Sequence, residues 1–130
     1  MSPKTAVATK AAPAAIGPYS QAVRCGAWLF VSGQLPLDAS GVMAAGGAAE
    51  QTEAVLSNIK AVLEAAGLDM GAVVKTTVFM TDLGQFPAMN AVYARHFSSP
   101  YPARATVQAA ALPKGAGIEI EAVAVFPEGR

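Results

Sequence analysis

Residues 55–80 read VLSNIKAVLEAAGLDMGAVVKTTVFM, a helix that runs into a strand. Val55, Leu56, Ile59, Val62, Leu63 and Ala66 recur at spacings of one, three or four, which lays a single apolar stripe along a helix. Glu50, Glu53, Lys60 and Glu64 fall off that stripe. Gly67 follows as a C′ residue, where positive φ is tolerated. Residues 73–80 (VVKTTVFM) are then rich in β-branched side chains, the composition of a strand.

Upstream, residues 5–9 (TAVAT) are β-compatible, and Gly17-Pro18 punctuates a Pro/Ala stretch. Residues 20–24 and 28–32 (WLFVS) read as two strands joined by a tight hairpin at Cys25-Gly26-Ala27. Residues 36–47 form a loop rich in Gly, Ala and Ser. Downstream, Asp82 or Gln85 caps a second helix, with Pro87 near its first turn. Phe86, Met89 or Asn90, Tyr93 and Phe97 supply its stripe, and Pro100 and Pro102 cannot continue it. Residues 105–109 and 118–126 (IEIEAVAVF) are the last strands, joined through Leu112-Pro113-Lys114-Gly115. The order of strands, helix, strand, helix, strands predicts an α+β fold: one sheet with both helices on one face. The other face needs cover, and packing between copies of the chain is one way to provide it.

The length of 130 residues suits a single domain spanning the chain. Charged residues make up 14% of it, against about 25% in average domains, so part of the surface is expected to be buried against other copies. Lys+Arg and Asp+Glu balance at nine each with no basic run, which argues against a nucleic-acid partner. The lone Cys25 cannot form an intrachain disulfide and fits a reducing compartment. No apolar run approaches the ~18 residues of a membrane span, and no signal-peptide core is visible, so no membrane partner and a cytoplasmic location are expected.

Motifs for nucleotide, zinc or dithiol chemistry (GxGxxG, the P-loop, HExxH, CxxC) are absent. His96 stands alone, which puts a His-based triad or a His-rich metal site out of reach within one chain; it reads as a surface or half-buried helix residue. Cys25 reads as an inert turn residue, and Trp28 as core or interface. Arg104 opens a strand of small residues, away from the helical partners that explain most surface arginines. Its fork can hold a carboxylate through two parallel hydrogen bonds, or it can serve as a strand-edge ion pair; by residue type the two readings stand level. Glu119 and Glu121, two apart in a strand, share a face opposite Ile118 and Ile120. Two carboxylates on a solvated face are the plainer reading, and a cleft carboxylate that orients or deprotonates a water is the other. Tyr19 and Ser32-Gly33 occupy positions that serve either turn chemistry or the lining of a site.

In order and spacing, seven segments resemble the RidA family, also called the YjgF family: residues 15–21 (AIGPYSQ), 31–34 (VSGQ), 58–60 (NIK), 74–79 (VKTTVF), 89–93 (MNAVY), 101–104 (YPAR) and 118–122 (IEIEA). The resemblance runs from about Ala12 to Val125. It implies a chorismate-mutase-like fold with a mixed sheet, assembled as a homotrimer around a central barrel, with clefts between subunits. It implies hydrolytic deamination of 2-iminopropanoate and 2-iminobutanoate, with their enamine parents, to 2-oxoacids and ammonia, without cofactor or metal. Arg104 then matches the arginine that grips the substrate carboxylate, and Glu119 the acid that manages the water. Tyr19, Ser32 and Gly33 match cleft residues, Gly33 through its backbone. Thr106 stands where many members carry cysteine; backbone contact is the role implied there, so a thiol role is in doubt. A ligand-binding or chaperone-like role, and a ribonuclease role, are also attached to this family. Zero net charge and a single histidine speak against the last.

Overall fold

The computed structural model describes residues 3–128. Its strands are β1 (Lys4–Val7), β2 (Ala22–Cys25), β3 (Trp28–Gln34), β4 (Val73–Met80), β5 (Ala103–Gln108) and β6 (Ile118–Val125), with helices α1 (Ala48–Ala65) and α2 (Phe86–His96). They form one six-stranded sheet in the order β1-β2-β3-β6-β4-β5. Only the β4–β5 pair is parallel; α2 lies in the connection between them. The fold is therefore α+β with a mixed sheet.

Expected and observed elements differ mainly at their ends. β4 has the expected bounds, whereas β1 lies one to two residues earlier than the TAVAT stretch and β2 begins at Ala22 rather than at residue 20. β5 begins at Ala103, which places Arg104 inside the strand. α1 begins seven residues before the first residue of its main apolar stripe, because its start is fixed by polar contacts rather than burial: the Glu50 carboxylate accepts a hydrogen bond from the Gly47 amide (2.8 Å). Its end is as expected, with Gly67 at φ 82° and the Leu68 amide donating back to the Leu63 carbonyl (2.8 Å).

Strand alternation divides the sheet into two unlike faces. Leu29 and Val31 of β3, Val78 and Met80 of β4, and Ile118 and Ile120 of β6 all point toward the helices and are buried. Against them pack Val55, Leu56, Ile59, Val62 and Leu63 of α1 and Met89 and Tyr93 of α2. The opposite face carries Trp28, Phe30 and Val107, which are 48%, 49% and 42% exposed. Both helices lie on the first face, so among the described residues no helix covers the second.

Two buried amides tie irregular segments to this frame. Asn58, on the core side of α1, donates to the carbonyls of Leu35 (3.0 Å) and Leu37 (2.8 Å), fixing the start of the loop between β3 and α1. The Gln21 amide nitrogen donates to the carbonyls of Pro13 (2.7 Å) and Thr9 (3.1 Å), and its oxygen accepts from the Thr9 amide (2.7 Å). Removing such a side chain strands polar backbone groups away from water. Asn58→Ala is expected to destabilise the fold by about 1–3 kcal/mol, read as a lower urea midpoint at unchanged m value; an unchanged midpoint would show that the loop is held elsewhere.

Candidate functional site

The residue pairing of β3 with β6 slips at one place. Val31 pairs with Ala122 and Gln34 with Ile120, so Ser32 and Gly33 together oppose Glu121 alone. This β-bulge swings the β3 backbone over the neighbouring acid. A methyl group built on Gly33 would collide with the Glu119 carboxylate oxygen and lie 2.9 Å from its Cδ, so only glycine leaves that carboxylate where it is. Ser32 faces the other way in role: its hydroxyl donates to the Ser20 carbonyl (2.6 Å) and its amide to the Gln21 carbonyl (2.9 Å), locking the bulge to the segment that carries Tyr19.

These contacts outline an open cleft of about 770 Å³ lined by Tyr19, Ser32, Gly33, Glu119 and Glu121. Ile16 and Tyr19, both exposed, form one wall, and residues 35–41 contribute to another. Four of the six residues singled out from the sequence thus come together: Tyr19, Ser32, Gly33 and Glu119. Burial pushes the Glu119 carboxyl above its ordinary pKa, and the negative charge of Glu121 adds to the rise.

Arg104 and Thr106 are placed elsewhere. Arg104 pairs with Thr76, and Thr106 with Val78, on the helix-covered side of the sheet. Glu119 pairs with Phe79, three residues from Thr76 along β4 and therefore on the opposite face. Within one chain the arginine and the acid are separated by the sheet itself. The Arg104 guanidinium donates to Asn90 Oδ1 (2.8 Å) and lies over the Tyr93 ring (4.7 Å to its centroid). Tyr93 in turn shares a hydrogen bond with the Thr76 hydroxyl (2.7 Å). Burial pushes the Tyr93 hydroxyl pKa up, while that hydrogen bond and the Arg104 charge pull it down. Among the described residues Arg104 forms no ion pair, so the reading of a structural strand-edge salt bridge does not apply. One neutral acceptor occupies only part of its five-donor fork.

The stripe of α2 left Met89 and Asn90 as alternatives, and they divide the work. Met89 is fully buried, and Asn90 holds Arg104. His96 pairs with Glu53 (2.6 Å) between the two helices, which accords with a half-buried helix residue. Among the described residues no group of three or more His, Cys, Asp or Glu side chains is placed to hold a metal ion, and no helix is long and apolar enough to cross a membrane.

Residues 9–126 match the sequence model of the family described as Endoribonuclease L-PSP, the same family that the seven segments resemble. The chain belongs to the RidA family. The human RidA-family protein named 2-iminobutanoate/2-iminopropanoate deaminase is 49% identical over 120 residues, covering 92% of this chain and 88% of that protein. Among solved structures, RidA from the Antarctic bacterium Psychrobacter sp. superposes with a TM-score of 0.90 at 46% identity, covering 94% of this chain and 99% of that one. TdcF from E. coli, solved with bound serine, superposes with a TM-score of 0.89 at 42% identity, covering 95% and 99%.

Because the folded state raises the Glu119 pKa, its protonated form is favoured by folding and its ionised form is opposed. The penalty is absent below the ordinary carboxylate range, where folded and unfolded chains are both protonated. It grows as pH rises through the raised value. Glu119→Gln is therefore expected to raise the urea midpoint at about pH 7 and leave it unchanged at about pH 3. Equal midpoints for the two proteins at both pH values would contradict the burial of this carboxyl.

Proposed function

We propose that the protein hydrolyses 2-imino acids with short side chains, 2-iminopropanoate and 2-iminobutanoate, to the 2-oxoacids and ammonia. The observation that carries this reading is Glu119 seated against the Gly33 bulge inside the cleft, its carboxyl held above the ordinary carboxylate pKa by burial. A carboxylate made more basic in this way is a better acceptor for the proton of a water. Water adds to the imine carbon as Glu119 accepts its proton. The nitrogen, protonated, leaves as ammonia when the carbinolamine collapses, and C=NH plus H₂O becomes C=O plus NH₃. General acid–base help of this kind contributes about 10²–10⁴ in rate, a useful factor for an imine that is already electrophilic. The names of the mammalian relatives support the same reaction.

The substrate is an anion, and the Arg104 fork, only partly occupied by Asn90, is the group suited to bind its carboxylate. Since Arg104 and Glu119 lie on opposite faces of the sheet, each working site joins Arg104 of one copy to the cleft of another. Three copies associating through their open sheet faces bury Trp28 and Phe30 in a central barrel and set the clefts at the seams. Thr106, on the same face as Arg104, then meets the substrate from the same side. A phosphodiester substrate is a poorer fit: the cleft contains two carboxylates, and His96 is engaged with Glu53 on the helices.

Arg104→Ala and Glu119→Gln are each expected to lose nearly all acceleration of ketoacid release over the unaided hydrolysis in an assay coupled to a serine or threonine dehydratase. Mixed after subunit exchange, the two inactive proteins are expected to regain about a quarter of the parental activity, because sites joining two intact halves re-form. Near-normal turnover by Arg104→Ala would refute the carboxylate role. Failure of exchanged mixtures to regain activity would refute the shared site.

A further inference from the structure

Among the described residues Lys114 is the one non-glycine residue with positive φ (59°). This left-handed conformation crowds the Cβ of an L-residue, and glycine or asparagine adopts it more readily. The turn itself does not call for lysine. It is held by the Gly115 amide donating to the Leu112 carbonyl (3.3 Å) and the Ala116 amide to the Pro113 carbonyl (3.1 Å), with Ala116 buried as its anchor. An ion pair does not explain the residue either, since Lys114 forms none among the described residues. Its side chain is exposed and lines the cleft with Glu119 and Glu121, as the only Lys or Arg among the described residues to do so. Those two carboxylates repel any anionic ligand, and the Arg104 of the same chain is on the far side of the sheet. Strained residues concentrate where side-chain placement serves a ligand.

We propose that Lys114 is a rim cation of the cleft, a second contact for the carboxylate of the incoming substrate that offsets Glu119 and Glu121 during capture. This inference rests on the proposed hydrolysis of 2-imino acids and adds the group that brings the anion in. A compact ammonium on a flexible stem suits capture over a range of positions, whereas the guanidinium fork of Arg104 suits fixed orientation. Lys114 takes no part in bond-making at the imine, so it acts on KM and leaves kcat alone. Its effect is electrostatic at an exposed site, so salt screens it.

The test compares the parent with Lys114→Gln, Lys114→Arg and Lys114→Gly in the dehydratase-coupled assay, at low salt and in about 0.5 M NaCl, together with calorimetric binding of 2-oxobutanoate as a stable anionic probe. Lys114→Gln is expected to raise KM about five-fold at low salt with kcat unchanged, to weaken 2-oxobutanoate by a similar factor, and to approach the parent in high salt. Lys114→Arg is expected to stay near the parent. Lys114→Gly is expected to share the KM defect of the glutamine variant while melting at or above the parental temperature, which separates charge from backbone. Parental KM and probe affinity in Lys114→Gln, or a glycine variant that melts well below the parent, would overturn the proposal. If those results came with an inactive Arg104→Ala, the hydrolase reading would stand and only the rim cation would fall; an active Arg104→Ala would remove the hydrolase reading itself.

Discussion

A six-stranded sheet has two faces, and this chain supplies helices for only one of them. Everything else about the molecule follows from that imbalance. Alternation sends Leu29, Val78, Ile118 and Ile120 into a closed core, and the same alternation leaves Trp28 and Phe30 in contact with water. It also decides the electrostatics. Glu119 and Glu121 emerge on the uncovered side because Ile118, Ile120 and Ala122 occupy the covered one. Arg104 emerges on the helix side because its neighbour in the ladder is Thr76. The chain thus presents groups of opposite charge on the two faces of a layer one strand thick. For the hydrolysis proposed above, neither group would suffice alone. An anion cradle without a base would bind and not react, and a base without a cradle would not hold its substrate.

Local pattern made most of the fold legible. The stripe of α1 and the β-branched run of β4 needed no tertiary information, since burial of a helix face and fit to a pleated sheet are written in spacing and side-chain shape. Ends were less legible. The start of α1 depends on the contact between Glu50 and the Gly47 amide, which no apolar period reveals, and the displacement of β1 and β2 by one or two residues reflects pairing between strands rather than any preference within them.

The site divides in the same way. Tyr19, Ser32, Gly33 and Glu119 were recognisable through the family pattern, and the bulge explains why glycine must sit between them. Facing was legible for Glu119 and Glu121, whose two-residue spacing sufficed, but not for Arg104 relative to them, because that relation depends on how three strands pair. Gln21, Asn58 and Asn90 were not identified as positioning residues, since amides look like ordinary surface residues in a sequence. Asn58 did leave a signal: it falls three residues after Val55 and next to Ile59, a polar group on a stripe that should be apolar. Lys114 left none, because its significance lies in a backbone angle.

The two buried amides have a consequence for how the cleft wall tolerates substitution. The wall formed by residues 35–41 is attached to the frame through two carbonyl groups, those of Leu35 and Leu37, and backbone carbonyls are the same whatever side chain stands beside them. The attachment is therefore indifferent to the composition of the wall. Exposed side chains between Asp38 and Gly47 can be exchanged while Asn58 keeps its grip and Asp38 keeps the turn closed through the Ser40 and Val42 amides, and the Gln21 clamp holds residues 9–13 through backbone groups in the same way. The outline of the cleft can thus be altered at that wall while the Glu119 carboxylate, set in the sheet, stays where it is.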